Sequence, residues 1–191
     1  MAGRFVPESI PARRLDIVET MKNRTLPLAF AAVLALAAAA PAAAQKAVFV
    51  VRHAEKISEQ DQRLSDAGRA RAARLASMLA DSGISAIYAT DTERARDTAA
   101  PLAQKLGQKV ATYDTGQKMS GAVDARPFVA MLRREHARDV VLVVGHSNTI
   151  PDLLKALGCS EKITLGADEY DDLFVVVPKA DGTATLVRLR Y

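Results

Sequence analysis

Three short stretches of the chain follow apolar runs with side chains capable of polar chemistry: Val51-Arg52-His53-Ala54-Glu55-Lys56, Tyr88-Ala89-Thr90-Asp91-Thr92-Glu93-Arg94 and Val144-Gly145-His146-Ser147-Asn148-Thr149. Two arginines and two histidines stand out, Arg52, Arg94, His53 and His146. A guanidinium is a planar fork of donors that grips phosphate oxygens in pairs, and two of them neutralise a dianion. A histidine beside fixed cations has its charged form disfavoured, which keeps His53 neutral and nucleophilic near pH 7. Attack by His53 on phosphorus gives a phosphohistidine and splits one hard displacement into two. His146, protonated by contact with the phosphate, adds positive charge where the transition state develops negative charge. Singly, each residue has a plainer explanation: a histidine at a strand end is commonly a hydrogen-bonded structural group, and Arg94 alone reads as a surface charge. His136, in the polar run Arg133-Arg134-Glu135-His136, is taken as that surface case. The conjunction of the other four makes the chemistry specific.

Such residues need a frame that carries distant segments to one place. Apolar runs at 47–51, 84–89, 109–113 and 140–144 read as strands buried on both faces, as parallel strands are. Between them, 66–80, 92–106 and 125–137 carry Ala, Leu and Met at helical spacing, followed by a helix at about 149–157 and late strands at 172–177 and 184–189. The alternation predicts an α/β fold, a three-layer α/β/α sandwich with a mainly parallel central sheet. In such sheets reactive groups gather beyond the carboxyl ends of the strands, where all three polar stretches fall. Two helices also begin there, near Thr92 and near Asn148 with Pro151 in its first turn, so backbone N–H groups can face the same anion. Residues 45–191 contain no repeat and no internal linker.

Composition limits the other possibilities. The 191 residues carry a formal charge of +4 and a single cysteine, Cys159, which excludes an intramolecular disulfide or a multi-cysteine metal cluster. Residues 28–40 form an uninterrupted apolar run after Lys22 and Arg24, and Ala42-Ala43-Ala44-Gln45 supplies a small-residue end. That is the pattern of a secretory signal peptide, too short for a spanning helix. Residues 1–20, with Glu8, Asp16 and Glu19, are set apart as a start-site extension, 21–44 as the signal peptide and 45–191 as the working domain. The expected location is periplasmic or secreted, with no stable membrane anchor after cleavage. Residues 45–191 hold 21 Lys and Arg against 19 Asp and Glu, a net +2 without any basic block threaded with aromatics, so no nucleic-acid partner is expected. Asp168 to Asp172 (DEYDD) reads as a solvated acidic turn.

These residues resemble the histidine phosphatase superfamily, the phosphoglycerate mutase-like proteins. Its Arg-His-Gly/Ala motif resembles Val51 to Lys56 (VRHAEK), and its Leu-Ser/Thr-x-x-Gly segment resembles Leu64 to Gly68, with Ser65 placed as a helix cap. The strand-end and Arg-Ala-x-x-Thr-Ala motif is similar to Tyr88-Ala89-Thr90 with Arg94 to Ala99, and the Gly-His motif to Gly145-His146. The resemblance implies a phosphoglycerate mutase-like fold, His53 as the phosphorylated nucleophile, and Arg52, Arg94 and His146 as the phosphate pocket. It further implies no metal and no organic cofactor, with a small-molecule or macromolecular phosphorylated substrate as the partner. One departure concerns the proton donor: branches of the family carry an Asp after the second histidine or a Glu after the third strand. Here Ser147 follows His146, and no Glu lies between Glu93 and Glu135. Asp114, at the end of the third strand, becomes the candidate donor, with Glu55 behind it. The expected activity is hydrolysis of phosphate monoesters or phosphoramidates; the alternatives are a phosphoryl-binding or scaffold protein with little turnover, or a phosphomutase.

Overall fold

A computed structural model describes residues 46–117, 121 and 123–191. The expected start-site extension and signal peptide lie outside the described residues. Among the described residues the elements run, in chain order, β1 (Ala47–Arg52), α1 (Asp66–Leu79), β2 (Ile84–Ala89), α2 (Glu93–Leu106), β3 (Val110–Thr112), α3 (Arg126–Glu135), β4 (Val140–Gly145), α4 (Ile150–Leu157), β5 (Asp172–Pro178) and β6 (Ala184–Arg190). They form one sheet in the order β3-β2-β4-β1-β5-β6. The β1/β4, β2/β4 and β2/β3 pairs are parallel, whereas β5 runs antiparallel to both β1 and β6. The sheet is mainly parallel, as expected.

The period of two along each strand sends alternate residues to opposite layers. Val48 and Val50 of β1 join Val141 and Val143 of β4 on one face, where Phe128, Val129 and Leu132 of α3 and Leu153, Leu154 and Leu157 of α4 cover them. Val51, Ile87, Leu142 and Val144 point the other way, beneath Leu75 and Leu79 of α1 and Ala95, Ala99 and Leu102 of α2. Two cores on one sheet make the three layers, and Cys159 sits buried in the first of them.

Strand β3 differs from expectation. It spans three residues rather than 109–113, lies at the edge of the sheet, and exposes Ala111 and Thr112. Pairing on one side only leaves a strand of this kind without the two-faced burial of β4, whose last five residues are all buried.

Helix α1 shows how local chemistry fixes the loop that follows His53. Ser65 caps it, its Oγ accepting the Gly68 N–H at 3.1 Å. Gly68 lies against the Glu55 backbone so closely that a Cβ there would stand 2.2 Å from the Glu55 carbonyl oxygen. The Ser65 N–H donates to that same carbonyl at 2.9 Å. The Leu-Ser-x-x-Gly segment is therefore a clamp on the loop carrying Ala54 and Glu55.

Candidate active site

Sheet register does most of the assembly. Arg52 is the partner of Gly145 in the parallel β1/β4 pair, so the next residues, His53 and His146, emerge side by side. The His53 N–H donates to the Gly145 carbonyl at 2.9 Å, and the imidazole centroids stand 5.1 Å apart, edge to face. On the other side of β4, Ala89 pairs with Val144, and the Thr90 N–H donates to the Val144 carbonyl at 3.2 Å. Arg94 enters from the first turn of α2. The structure thus brings Arg52, His53, Arg94 and His146 to one cavity of about 330 Å³, lined also by Lys56, Thr90, Asp91, Thr92, Thr115, Gln117, Ser147 and Asn148.

The hydrogen bonds assign the ring nitrogens. His53 Nδ1 is 2.8 Å from the Ala54 carbonyl, which can only accept, so Nδ1 carries the proton and Nε2 keeps its lone pair. His146 Nδ1 lies 3.4 Å from Arg94 Nη2, which can only donate; its Nε2–H then donates to Thr90 Oγ1 at 2.8 Å. Both rings are neutral in this arrangement. Burial is the main cause: it pushes the pKa of His53 from 6.5 down to about 3, with His146, Arg94 and Arg52 adding repulsion against the hydrogen bond to Ala54. Burial first and the two guanidiniums next bring His146 down to about 4. The nearby cations do disfavour the charged form, but removal from water outweighs them.

Both arginines keep donors in reserve. Arg52 is 6% exposed, and its Nη1 donates to the carbonyls of Gly166, Ala167 and Glu169 at 2.9, 2.8 and 3.1 Å. The buried Nε atoms of Arg52 and Arg94 have no hydrogen-bond partner. A buried N–H left unpaired costs about 1–3 kcal/mol, so these two donors favour an acceptor-rich ligand between them. Thr98, fully buried in α2, ties the assembly together: its Oγ1 accepts the Ala54 N–H at 2.9 Å and donates to the Arg94 carbonyl at 2.7 Å.

The two carboxylates read as proton donors are placed elsewhere. Asp114 accepts the Gly116 N–H at 2.8 Å and lines a separate cavity of about 230 Å³ with Tyr113, Phe128 and Met131. A local N–H two residues along the chain satisfies a short acidic side chain more readily than a distant pocket does. Glu55 is held in a bidentate pair by Arg71, at 2.7 to 2.9 Å. Asp91 is the carboxylate that lines the histidine cavity among the described residues. Its position directly after Thr90 was the available signal for it. His136 accepts from Tyr88 Oη through Nε2 and donates to Asp139 through Nδ1, both at 2.8 Å, a structural role away from the cavity.

The comparisons with known proteins agree with this geometry. Residues 48–119 match the family described as the histidine phosphatase superfamily, branch 1. The match carries Arg52, His53 and Arg94 and ends before His146, which the β1/β4 register supplies instead. No curated protein matches the chain. Among solved structures, a mycobacterial glucosyl-3-phosphoglycerate phosphatase is 18% identical with a TM-score of 0.58, covering 76% of this chain and 98% of its own. The protein histidine phosphatase SixA complexed with tungstate is 18% identical with a TM-score of 0.59, over 75% of this chain and 96% of its own. A phosphoglycerate mutase from Bacillus anthracis is 17% identical with a TM-score of 0.62, over 78% of this chain and 94% of its own. At these identities the likeness is one of fold.

Proposed function

We propose that the protein is a phosphatase acting through a phosphohistidine on His53. The observation that carries this is a fixed lone pair on His53 Nε2 in one cavity with two guanidiniums, Arg52 and Arg94, whose buried Nε–H donors have no partner. The guanidiniums take the phosphoryl oxygens, and Nε2 attacks phosphorus as the bond to the leaving group breaks. Water then cleaves the P–N bond, releasing inorganic phosphate and restoring the neutral ring. Phosphate dianion next to His146 repays the desolvation that holds its pKa near 4, so the ring gains its proton as the ligand binds. The family match over Arg52, His53 and Arg94, and neighbours that are themselves phosphatases, support this reading.

Asp114 and Glu55 are engaged elsewhere and Asp91, the carboxylate lining the cavity among the described residues, is exposed, so the leaving group has no buried acid to protonate it. Substrates whose leaving groups are weakly basic, such as phosphoramidates, are therefore favoured over alkyl phosphates. A series of aryl phosphates should show rate rising steeply as leaving-group pKa falls; a flat series with rapid alkyl phosphate hydrolysis would contradict this. Activity on p-nitrophenyl phosphate, lost in His53→Ala, separates a phosphatase from a phosphoryl-binding scaffold, for which wild type and variant would be equally inactive. Transfer of phosphate back to an acceptor in place of water would mark a phosphomutase.

Export of a domain starting near Gln45 is part of the proposal and rests on the residue pattern at 22–45. Amino-terminal sequencing of protein recovered outside the cytoplasm should begin near Gln45.

A further inference from the structure

The acidic stretch at 168–172 is a solvated turn only at its start, where Asp168 is exposed, and it reaches the site through Arg52. Three backbone carbonyls of Gly166, Ala167 and Glu169 surround Arg52 Nη1, and the Tyr170 ring lies against the guanidinium with its centroid 4.0 Å from Cζ. The same ring stands 5.8 Å from the His53 imidazole. Arg52 forms no ion pair with a carboxylate among the described residues, so its charge is held by neutral dipoles and a π face alone. A carboxylate in that place would fix the guanidinium but offset the charge meant for the ligand. Carbonyls on Nη1 leave Nε, one side of the fork's other edge, without a partner, in a residue that lines the cavity.

The strap is itself anchored. Glu169 Oε2 accepts the Gly166 N–H at 2.7 Å, closing the turn, and lies 3.8 Å from Arg188 Nη2. The fully buried Asp172 holds Arg188 in a bidentate pair at 2.6 and 2.7 Å, and Asp171 holds Arg190 at 2.7 Å. Glu169, Asp171 and Asp172 are thus spent on β6 while Asp168 is exposed, and what remains facing Arg52 is carbonyl oxygen and one aromatic ring.

We propose that Tyr170 is a positioning residue: its ring, with the 166–169 carbonyls, sets the plane of Arg52 so that the Nε–Nη2 edge meets a phosphoryl group. This rests on the reading of the cavity as a phosphate site. The contact needs the ring face and not the hydroxyl, so phenylalanine serves and leucine does not.

The test compares full-length wild type, Tyr170→Phe and Tyr170→Leu by calorimetric titration with inorganic phosphate, alongside p-nitrophenyl phosphate kinetics and thermal melts. Tyr170→Leu should bind phosphate about tenfold more weakly, because the plane of the Arg52 guanidinium is no longer fixed for the ligand, with only a modest fall in melting temperature. Tyr170→Phe should stay within about twofold of wild type. Equal phosphate affinity in wild type and Tyr170→Leu, or equal losses in Phe and Leu, would overturn the assignment. Wild type that binds phosphate without turnover sinks the phosphatase reading and leaves the role of Tyr170 to be decided by the binding arm. Wild type that binds no phosphate overturns both.

Discussion

His146 shows how a single hydroxyl sets the chemistry of a ring. Thr90 is 2% exposed, and its Oγ1 takes the Nε2–H of His146 at 2.8 Å while Thr92 Oγ1 stands 3.2 Å away. Thr90→Val keeps the shape and removes the acceptor, leaving a buried N–H unpaired. Phosphate affinity should fall about tenfold, since the ring loses the bond that orients it, while the circular dichroism spectrum stays unchanged; unaltered phosphate binding would contradict the assignment. The convergence of Arg52, His53, Arg94 and His146 on one cavity was legible from the chain because each follows an apolar strand run. Tyr170 was hidden for a physical reason: its strap works through backbone carbonyls, which every residue has, and the neighbouring acids advertise charge that Arg188 and Arg190 consume. That Asp114 accepts the nearby Gly116 N–H and lines a different cavity could not be read from its strand-end position alone.

At the scale of elements, parallel register is the device that makes distant residues neighbours. Arg52 facing Gly145 and Ala89 facing Val144 determine that His53, His146 and Thr90 share one edge. The order of alternating apolar and helical segments disclosed this arrangement, since four apolar runs separated by helices leave few other topologies. The length and burial of β3 were not legible, because whether an apolar run lies centrally or at an edge depends on strand order. Helix α1 reaches the site through contact rather than chemistry. Gly68→Ala would press a methyl group into the Glu55 carbonyl, so α1 and the loop after His53 must separate. Denaturant melts should show a loss of about 1–3 kcal/mol, with a fall in turnover larger than any change in secondary structure; an alanine variant with wild-type stability and rate would contradict the clamp.

Across the whole molecule, two neutral buried histidines couple the site to stability. Their pKa values of about 3 and about 4 lie below the ordinary 6.5, so below pH 6.5 the unfolded chain takes up protons that the folded chain refuses. Stability should therefore decline as pH falls from 6.5 toward 4, by up to about 1.4 kcal/mol per pH unit for each ring. Urea unfolding at pH 7.5, 6 and 5 should show a shallower decline in His53→Asn/His146→Asn than in wild type, and equal slopes would contradict the linkage. Added inorganic phosphate should offset part of the decline, since it favours protonated His146. The small net charge of +2 over residues 45–191 has its functional share in Arg52 and Arg94, around one ligand. The central claim is that His53 Nε2 becomes covalently phosphorylated. Rapid acid-free quenching of turnover on a labelled phosphoramidate or aryl phosphate, followed by peptide mapping, should find acid-labile, base-stable phosphate on the peptide holding His53 and none in His53→Ala. Turnover at the wild-type rate by His53→Ala, or label on another residue, would contradict it.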